Sequence, residues 1–128
     1  MRIFLRIVLL VLAVFVLATA GGIFYITRGL NTGAKAEINN VDLTAVKDGI
    51  YNGKYSSGRW TNELNVIVKD NKITDIKVIK DVTFSNAASA QQLFDKIIEK
   101  QKIDVDAVSG ATVTSKAYQK SIENALSK

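Results

Sequence analysis

The sequence contains neither cysteine nor histidine, and each absence removes a class of chemistry. Without these residues the chain has no Ser-His-Asp or Cys-His nucleophile, no thiolate or imidazole metal site and no disulfide. A lipid anchor on cysteine is excluded as well. Any redox chemistry therefore has to come from an organic cofactor, and the cysteine count does not indicate the compartment.

The net charge of +5 does not indicate a nucleic-acid partner. Of the 17 lysines and arginines, Arg2, Arg6 and Arg28 flank an apolar segment, which leaves 14 basic residues against 12 acidic ones. The lysines are scattered among aspartates and glutamates and form no stripe with interleaved aromatics. We therefore expect no binding to DNA or RNA.

Residues 7–26 are twenty consecutive residues without a charge, which is the length that a helix needs to cross a bilayer. Arg2 and Arg6 precede the segment in a very short tail. The positive-inside tendency then places the amino terminus in the cytoplasm and the rest of the chain outside it. The segment predicts a single-pass cell-membrane protein whose C-terminal domain is extracytoplasmic.

A cleaved signal peptide is the alternative, because Ala18-Thr19-Ala20 forms a small-residue site before Gly21. Either interpretation exports the domain. We favour the retained anchor, because apolar residues resume at 23–26 and bring the segment to a spanning length.

The remainder divides into a predicted linker and one domain. Residues 29–47 are polar and small and have no sustained period, so with the anchor at 1–28 they predict a tether. Residues 48–128 are enough for one small domain.

Within this domain, residues 50–56, 64–69 and 72–80 predict strands, and Asp70-Asn71 predicts a two-residue hairpin turn. Apolar residues 76, 78 and 79 break the alternation of the last strand. That strand is therefore expected to be covered on both faces or to carry a bulge.

Two amphipathic helices follow the strands. The first runs from a cap at Ser85 or Asn86 to about residue 101, and Ser115 is expected to cap the second. In the second helix Gln119 is expected to face water. The result is an α+β domain with a small antiparallel sheet packed against helices, preceded by one N-terminal transmembrane helix.

Residues 106–115 (DAVSGATVTS) gather small hydroxyl residues and glycine just before the second helix. Such a turn can aim backbone N–H groups at one point, Gly110 permits close approach, and the helix dipole favours an anion such as phosphate. The structural alternative uses the same residues: Asp106 in an Asx turn, Gly110 at positive φ, Thr112 and Thr114 extended, and Ser115 as a cap.

The spacing Asp106, two residues, Ser109-Gly110-Ala111-Thr112 closely resembles the flavinylation motif of the FMN-binding domain family. The resemblance extends more loosely over residues 48–128, where Asn71 and the segment 58–60 (Gly-Arg-Trp) depart from it. It implies that a flavin transferase esterifies FMN phosphate onto Thr112. Asp106 would be recognised by that enzyme, while Gly110 and Ala111 leave it room to reach the hydroxyl. Ser109 is a candidate hydrogen-bond donor to the phosphate or ribityl chain, as is Thr114.

Aromatic residues offer candidates for stacking on the flavin ring. Tyr51, Tyr55 and Trp60 are amphipathic and could line such a pocket, although such residues beside a strand more often lie in the core or at its rim. We assign the remaining aromatics of the domain to packing; they are Phe84, Phe94 and Tyr118.

The resemblance implies an electron carrier with no catalytic residues of its own. Similar domains occur as subunits of ion-translocating NADH:quinone and ferredoxin reductases, so the expected partners are a flavin transferase and neighbouring redox proteins. The chain has no Gly-x-Gly-x-x-Gly turn for a dinucleotide. The alternatives are an exported non-redox binding or structural module and a reductase that binds FMN non-covalently.

The amino terminus of the mature protein tests the anchor. We expect intact-mass measurement of the membrane fraction to show a chain that retains residues 1–20. A mature chain beginning at Gly21 would show a cleaved signal peptide.

Overall fold

The computed structural model describes residues 1–127 and has an α+β fold, as predicted. The helices and strands, in chain order, are α1 (Arg2–Thr27), α2 (Leu30–Ala34), β1 (Gly49–Tyr55), β2 (Asn62–Lys69), β3 (Lys72–Lys80), α3 (Ala87–Lys100) and α4 (Thr112–Leu126). Two 3-10 turns, at Leu43–Ala45 and Gly58–Trp60, precede β1 and β2 respectively.

The three strands form one antiparallel sheet in the order β1-β2-β3. Asp70 and Asn71 have φ values of 53° and 60°, so the hairpin turn is built as predicted. The pairing of β2 with β3 shifts register twice, between Glu63 and Leu64 and between Ile67 and Val68. The irregular apolar pattern of β3 therefore reflects bulges.

Helices α3 and α4 cover one face of the sheet. Leu64, Val66 and Val68 of β2 alternate with partly exposed residues and are buried beneath α4. The apolar stripe of α3 packs beside β3, and the Asn86 side chain caps this helix by accepting a hydrogen bond from the Ser89 amide (3.1 Å). Helix α3 thus agrees with the prediction for the first of the two amphipathic helices.

The start of α4 differs from the prediction. The helix begins at Thr112 with Ala111 as N-cap, one turn earlier than a cap at Ser115 would allow. Ser115 is buried, and its Oγ accepts a hydrogen bond from the Val108 amide (3.1 Å). The prediction was wrong because the serine caps the loop before the helix and not the helix itself.

Gln119 was also predicted on the wrong face. Its side chain is buried, and its Nε2 donates to the carbonyl oxygens of Ile103 (2.8 Å) and Val105 (2.9 Å). The connection from α3 to α4 runs along this side of the helix and needs partners for its backbone. The buried Gln119 amide supplies these partners, although the helical period alone places this residue on the solvent-facing side.

Residues 29–47 lie on the domain, where the sequence predicts a tether. Helix α2 packs against α4, and Val46 joins the core. The Glu123 carboxylate accepts from the Asn39 amide (3.1 Å) and pairs with Lys120 (3.1 Å). Polar composition did not reveal these contacts because the polar residues Asn39 and Asn40 attach the segment through hydrogen bonds.

Helix α1 is exposed along its whole length. Within residues 1–127 the structure has one helix long and apolar enough to cross a membrane, near the N-terminus; signal sequences pass the same test. The length and composition of the apolar segment are therefore those of a spanning element.

Gly53 tests how closely α4 and β1 are packed. A Cβ at this position would lie 1.9 Å from the Ser121 carbonyl oxygen and 2.7 Å from the Ala125 Cβ. We expect Gly53→Ala to destabilise the protein by about 1–3 kcal/mol, because backbone atoms would have to move. Thermal unfolding of the detergent-solubilised protein measures this, with the exposed neighbour Lys54→Ala as control. Equal melting temperatures for the two variants would contradict the close approach.

Candidate functional site

The loop before α4 forms a tight turn that presents Thr112. The Ala111 amide donates to the Val108 carbonyl (2.9 Å), and Gly110 adopts a φ of +79° within the turn. Ser115 holds the other side of the loop through its bond from the Val108 amide. Thr112, the first residue of α4, is exposed at the end of this turn.

The geometry of this turn suits a phosphate group. The first N–H groups of a helix have no partner within it, and the helix dipole adds positive character there. A Cβ built on Gly110 would meet no atom within 4 Å, so the space in front of the loop is open. An anion can therefore approach the first turn of α4 next to the Thr112 hydroxyl.

Four of the five predicted site residues share this turn. Ser109, Gly110 and Ala111 line a surface cleft of about 390 Å³. Gly110, Ala111 and Thr112 line an adjoining cleft of about 330 Å³. Thr114, the suggested hydrogen bonder, lines both. Asp106 is exposed and belongs to the lining of neither cleft.

Arg59 lies opposite the turn and lines both clefts. Its guanidinium stacks on the Trp60 ring, 4.0 Å from the centroid, and lies 5.9 Å from the centroid of Phe84. The position follows from the 3-10 turn Gly58–Trp60, which carries the side chain over the start of β2. Sequence analysis gave this residue no role. A cation beside the only tryptophan was the available signal.

Phe84 is an exposed aromatic side chain on the wall of the larger cleft, and its assignment to packing was wrong. It is 72% exposed and has a φ of +61°, a conformation that aromatic residues rarely adopt. Its ring faces the cleft that Ser109 and Gly110 line from the other side. A flat aromatic ring on an open wall can stack on a planar ligand.

The aromatics suggested for stacking belong mainly to the packed structure. Trp60 is 2% exposed, although it also contributes to the lining of the cleft that Thr112 lines. The Tyr51 hydroxyl donates to the Lys47 carbonyl (2.6 Å). Neither tyrosine suggested for stacking lines the two clefts.

Phe94 and Tyr118 pack edge to face at 5.3 Å, which confirms their packing role. The Tyr118 hydroxyl donates to the Asp81 carboxylate. Burial, followed by this hydrogen bond and the charge of Asp81, raises the pKa of Tyr118 well above its ordinary value. The phenol therefore stays protonated and serves as a hydrogen-bond donor.

These residues fit a flavin nucleotide. The turn offers backbone donors and hydroxyls for a phosphate, Arg59 offers a positive charge, and Phe84 offers a flat apolar surface next to them. The combination matches a ligand with an anionic end and an aromatic end.

Comparison with known proteins supports the same ligand. A family model described as the FMN-binding domain matches residues 58–127, which is more than half of the chain. The matched range contains Arg59, the β2-β3 hairpin, the turn and α4. No curated protein matches the chain.

Ser115 tests the support of the turn. In Ser115→Ala the buried Val108 amide loses its partner, which we expect to cost about 1–3 kcal/mol. Thermal unfolding measures the loss, and hydrogen exchange should show faster exchange at residues 108–111. The exposed Ser85→Ala serves as control. Unchanged exchange in the turn would mean that the serine does not hold it.

Proposed function

The chain belongs to the FMN-binding domain family, with FMN as its cofactor, and we propose that it is a membrane-anchored flavoprotein that carries electrons outside the cytoplasm through FMN esterified to Thr112. The observation that carries the proposal is the position of this threonine. Its side chain is exposed at the first position of α4, next to an open glycine turn that suits a phosphate. A modifying enzyme can reach the hydroxyl there.

Threonine is chemically suited to this linkage. Its hydroxyl oxygen would lose its proton and attack the phosphorus of a flavin donor in which a phosphoanhydride supplies the leaving group. The phosphoanhydride bond would break as the leaving group departs, and the threonine oxygen would become an ester oxygen of the FMN phosphate. The β-branch restricts the side-chain rotamer. The other phosphate oxygens would be held by the first N–H groups of α4 and by the Ser109 and Thr114 hydroxyls. FMN supplies one- and two-electron chemistry when bound. The chain positions it between the turn, Arg59 and Phe84.

An exported protein has a physical reason to bind its cofactor covalently. Outside the cell a dissociated flavin is diluted, and the stabilisation that depends on ligand concentration disappears. An ester bond removes this dependence. The anchor would retain the protein itself at the membrane, since α1 is long and apolar enough to span a bilayer and carries Arg2 and Arg6 near its start.

The proposed role is that of a carrier and not of a complete enzyme. The sequence holds no dinucleotide-binding glycine motif, and the clefts beside Thr112 are small and open to the surface. Electrons would therefore come from and pass to neighbouring redox proteins, and a flavin transferase would load the cofactor.

Thr112→Val tests the proposal directly. The full chain is expressed together with a flavin transferase, and denaturing electrophoresis under ultraviolet light detects covalent flavin. We expect a fluorescent band and a mass increase of one FMN in the parent protein and in Thr74→Val, an exposed threonine of β3. Both signals should be lost in Thr112→Val, which removes the acceptor oxygen and keeps the branched shape.

Two other results would replace the proposal. Flavin that is released from the parent protein on denaturation would indicate non-covalent binding and a reductase. A parent chain without any flavin would indicate a binding or structural module.

A further inference from the structure

The exit of α1 is in direct contact with the loop that carries Arg59. Only Arg28 and Gly29 separate α1 from α2. A Cβ on Gly29 would lie 2.4 Å from the Ser57 Oγ, and a Cβ on Gly58 would lie 2.3 Å from the Arg28 carbonyl oxygen. Both glycines have positive φ, so the two backbones touch at a joint where a larger residue would not fit.

Arg59 closes the joint from the side of the domain. Its Nε donates to the Ile26 carbonyl oxygen (3.0 Å), one of the last carbonyls of α1. The final carbonyls of a helix need partners from outside, and the negative end of the helix dipole favours a cation there. Arg59 thus connects the end of α1 to the clefts that it lines beside Thr112.

This joint determines the depth of the site relative to a bilayer. The twenty apolar residues 7–26 span about 30 Å as a helix, so Ile26 lies at the edge of the hydrocarbon layer. Leu30, four residues later, lines the same cleft as Thr112 and is within about 14 Å of Ile26 along the chain. In addition, a Cβ on Gly33 of α2 would lie 2.7 Å from the Val113 side chain. The turn therefore lies at the level of the lipid headgroups.

The side chains on this face suit headgroups. Arg28 is exposed beside the joint, and Arg59 lines the clefts above it. Phe84 exposes most of its ring on the same face. Cations and aromatic rings are the groups that lie at a membrane surface. The Asp70-Asn71 turn is at the opposite end of β2, about 25 Å away along the strand.

We propose that the face carrying Thr112, Arg59 and Phe84 rests on the headgroups of the bilayer that α1 spans, with the β2-β3 turn pointing away. The inference rests on the proposed function for the anchor. Its consequence is that a redox partner has to meet the cofactor at the lipid surface, which favours an integral membrane protein over a soluble one.

Single spin labels test this orientation. The chain has no cysteine, so Ser85→Cys beside Phe84 and Lys72→Cys beside the hairpin turn each give one label on an exposed residue. The untagged full chain is reconstituted in phosphatidylcholine vesicles that contain a nickel-chelating headgroup lipid. The sequence has no histidine, so the nickel does not capture the domain.

We expect nickel to enhance the relaxation of the label at 85 and to leave the label at 72 unchanged. Gly58→Val should reduce the difference between the two labels, because its side chain cannot fit against Arg28. Gly22→Ala is the matched control, because a Cβ there meets no atom within 4 Å and the difference should persist. Equal relaxation at 85 and 72 in the parent chain would overturn the proposal, as would a chain that fails to enter vesicles.

The outcome is independent of flavin attachment. The labels can be read in protein made without a flavin transferase. A fluorescent band from the co-expressed chain, together with equal relaxation at 85 and 72, would reject only the orientation. Unequal relaxation at the two labels, together with no fluorescent band from the chain co-expressed with a flavin transferase, would reject the ester at Thr112 and keep the orientation. If Gly58→Val lowers the content of folded protein, the difference in relaxation between the two labels in the parent chain still tests the orientation.

Discussion

The packing of α4 on the sheet determines the position of Thr112, the proposed attachment residue for the flavin. Gly53 allows the helix backbone to approach β1 at a distance that no side chain could occupy. Beside this contact, the buried Ser121 hydroxyl donates to the Asn62 side chain of β2 (2.6 Å). Because Thr112 begins this helix, its position follows from contacts made two to three turns further along. A rigid position for Thr112 suits the proposed attachment, since an ester at its hydroxyl would still leave the flavin free to rotate.

The polar residues on the buried side of α4 explain why the preceding loop is ordered. Ser115 and Gln119 each satisfy backbone groups of residues 103–108, which pass the helix without forming secondary structure. Unpaired, those groups would each cost about 1–3 kcal/mol in a buried setting. Ser115 and Gln119 therefore hold in place the chain that leads into the turn. The turn then directs the first residues of α4 toward solvent.

Most of the fold follows from the sequence because its signals are local. Alternating apolar residues in β2, the Asp70-Asn71 turn and the Asn86 cap each act within a few residues. The start of α4 did not follow, because Ser115 has the chemistry of a helix cap and uses it on a residue seven positions earlier.

The candidate site likewise has one part that the sequence predicts and another part that it does not. The turn with Thr112 is contiguous in sequence and carried a recognisable spacing. Arg59 and Phe84 reach the same clefts from elements about 30 to 50 residues away, and only the sheet brings them there. The sequence around Phe84 does not distinguish it from a core phenylalanine, and the adjacent tryptophan was the only local signal for Arg59. The chemistry of Arg59 and Phe84 is evident from the sequence. Their placement beside the turn depends on long-range contacts, which the sequence does not reveal.

The attachment of residues 29–47 through Glu123 makes the domain sensitive to acid. Burial would raise the pKa of Glu123, yet hydrogen bonds from the Asn39 amide and from Lys120 outweigh it and hold the pKa below its usual range. A carboxyl group of this kind stabilises the folded state at neutral pH, and the stabilisation is lost as pH falls through the folded-state pKa. In an acidified medium the strap formed by residues 29–47 thus loses one of its attachments to α4.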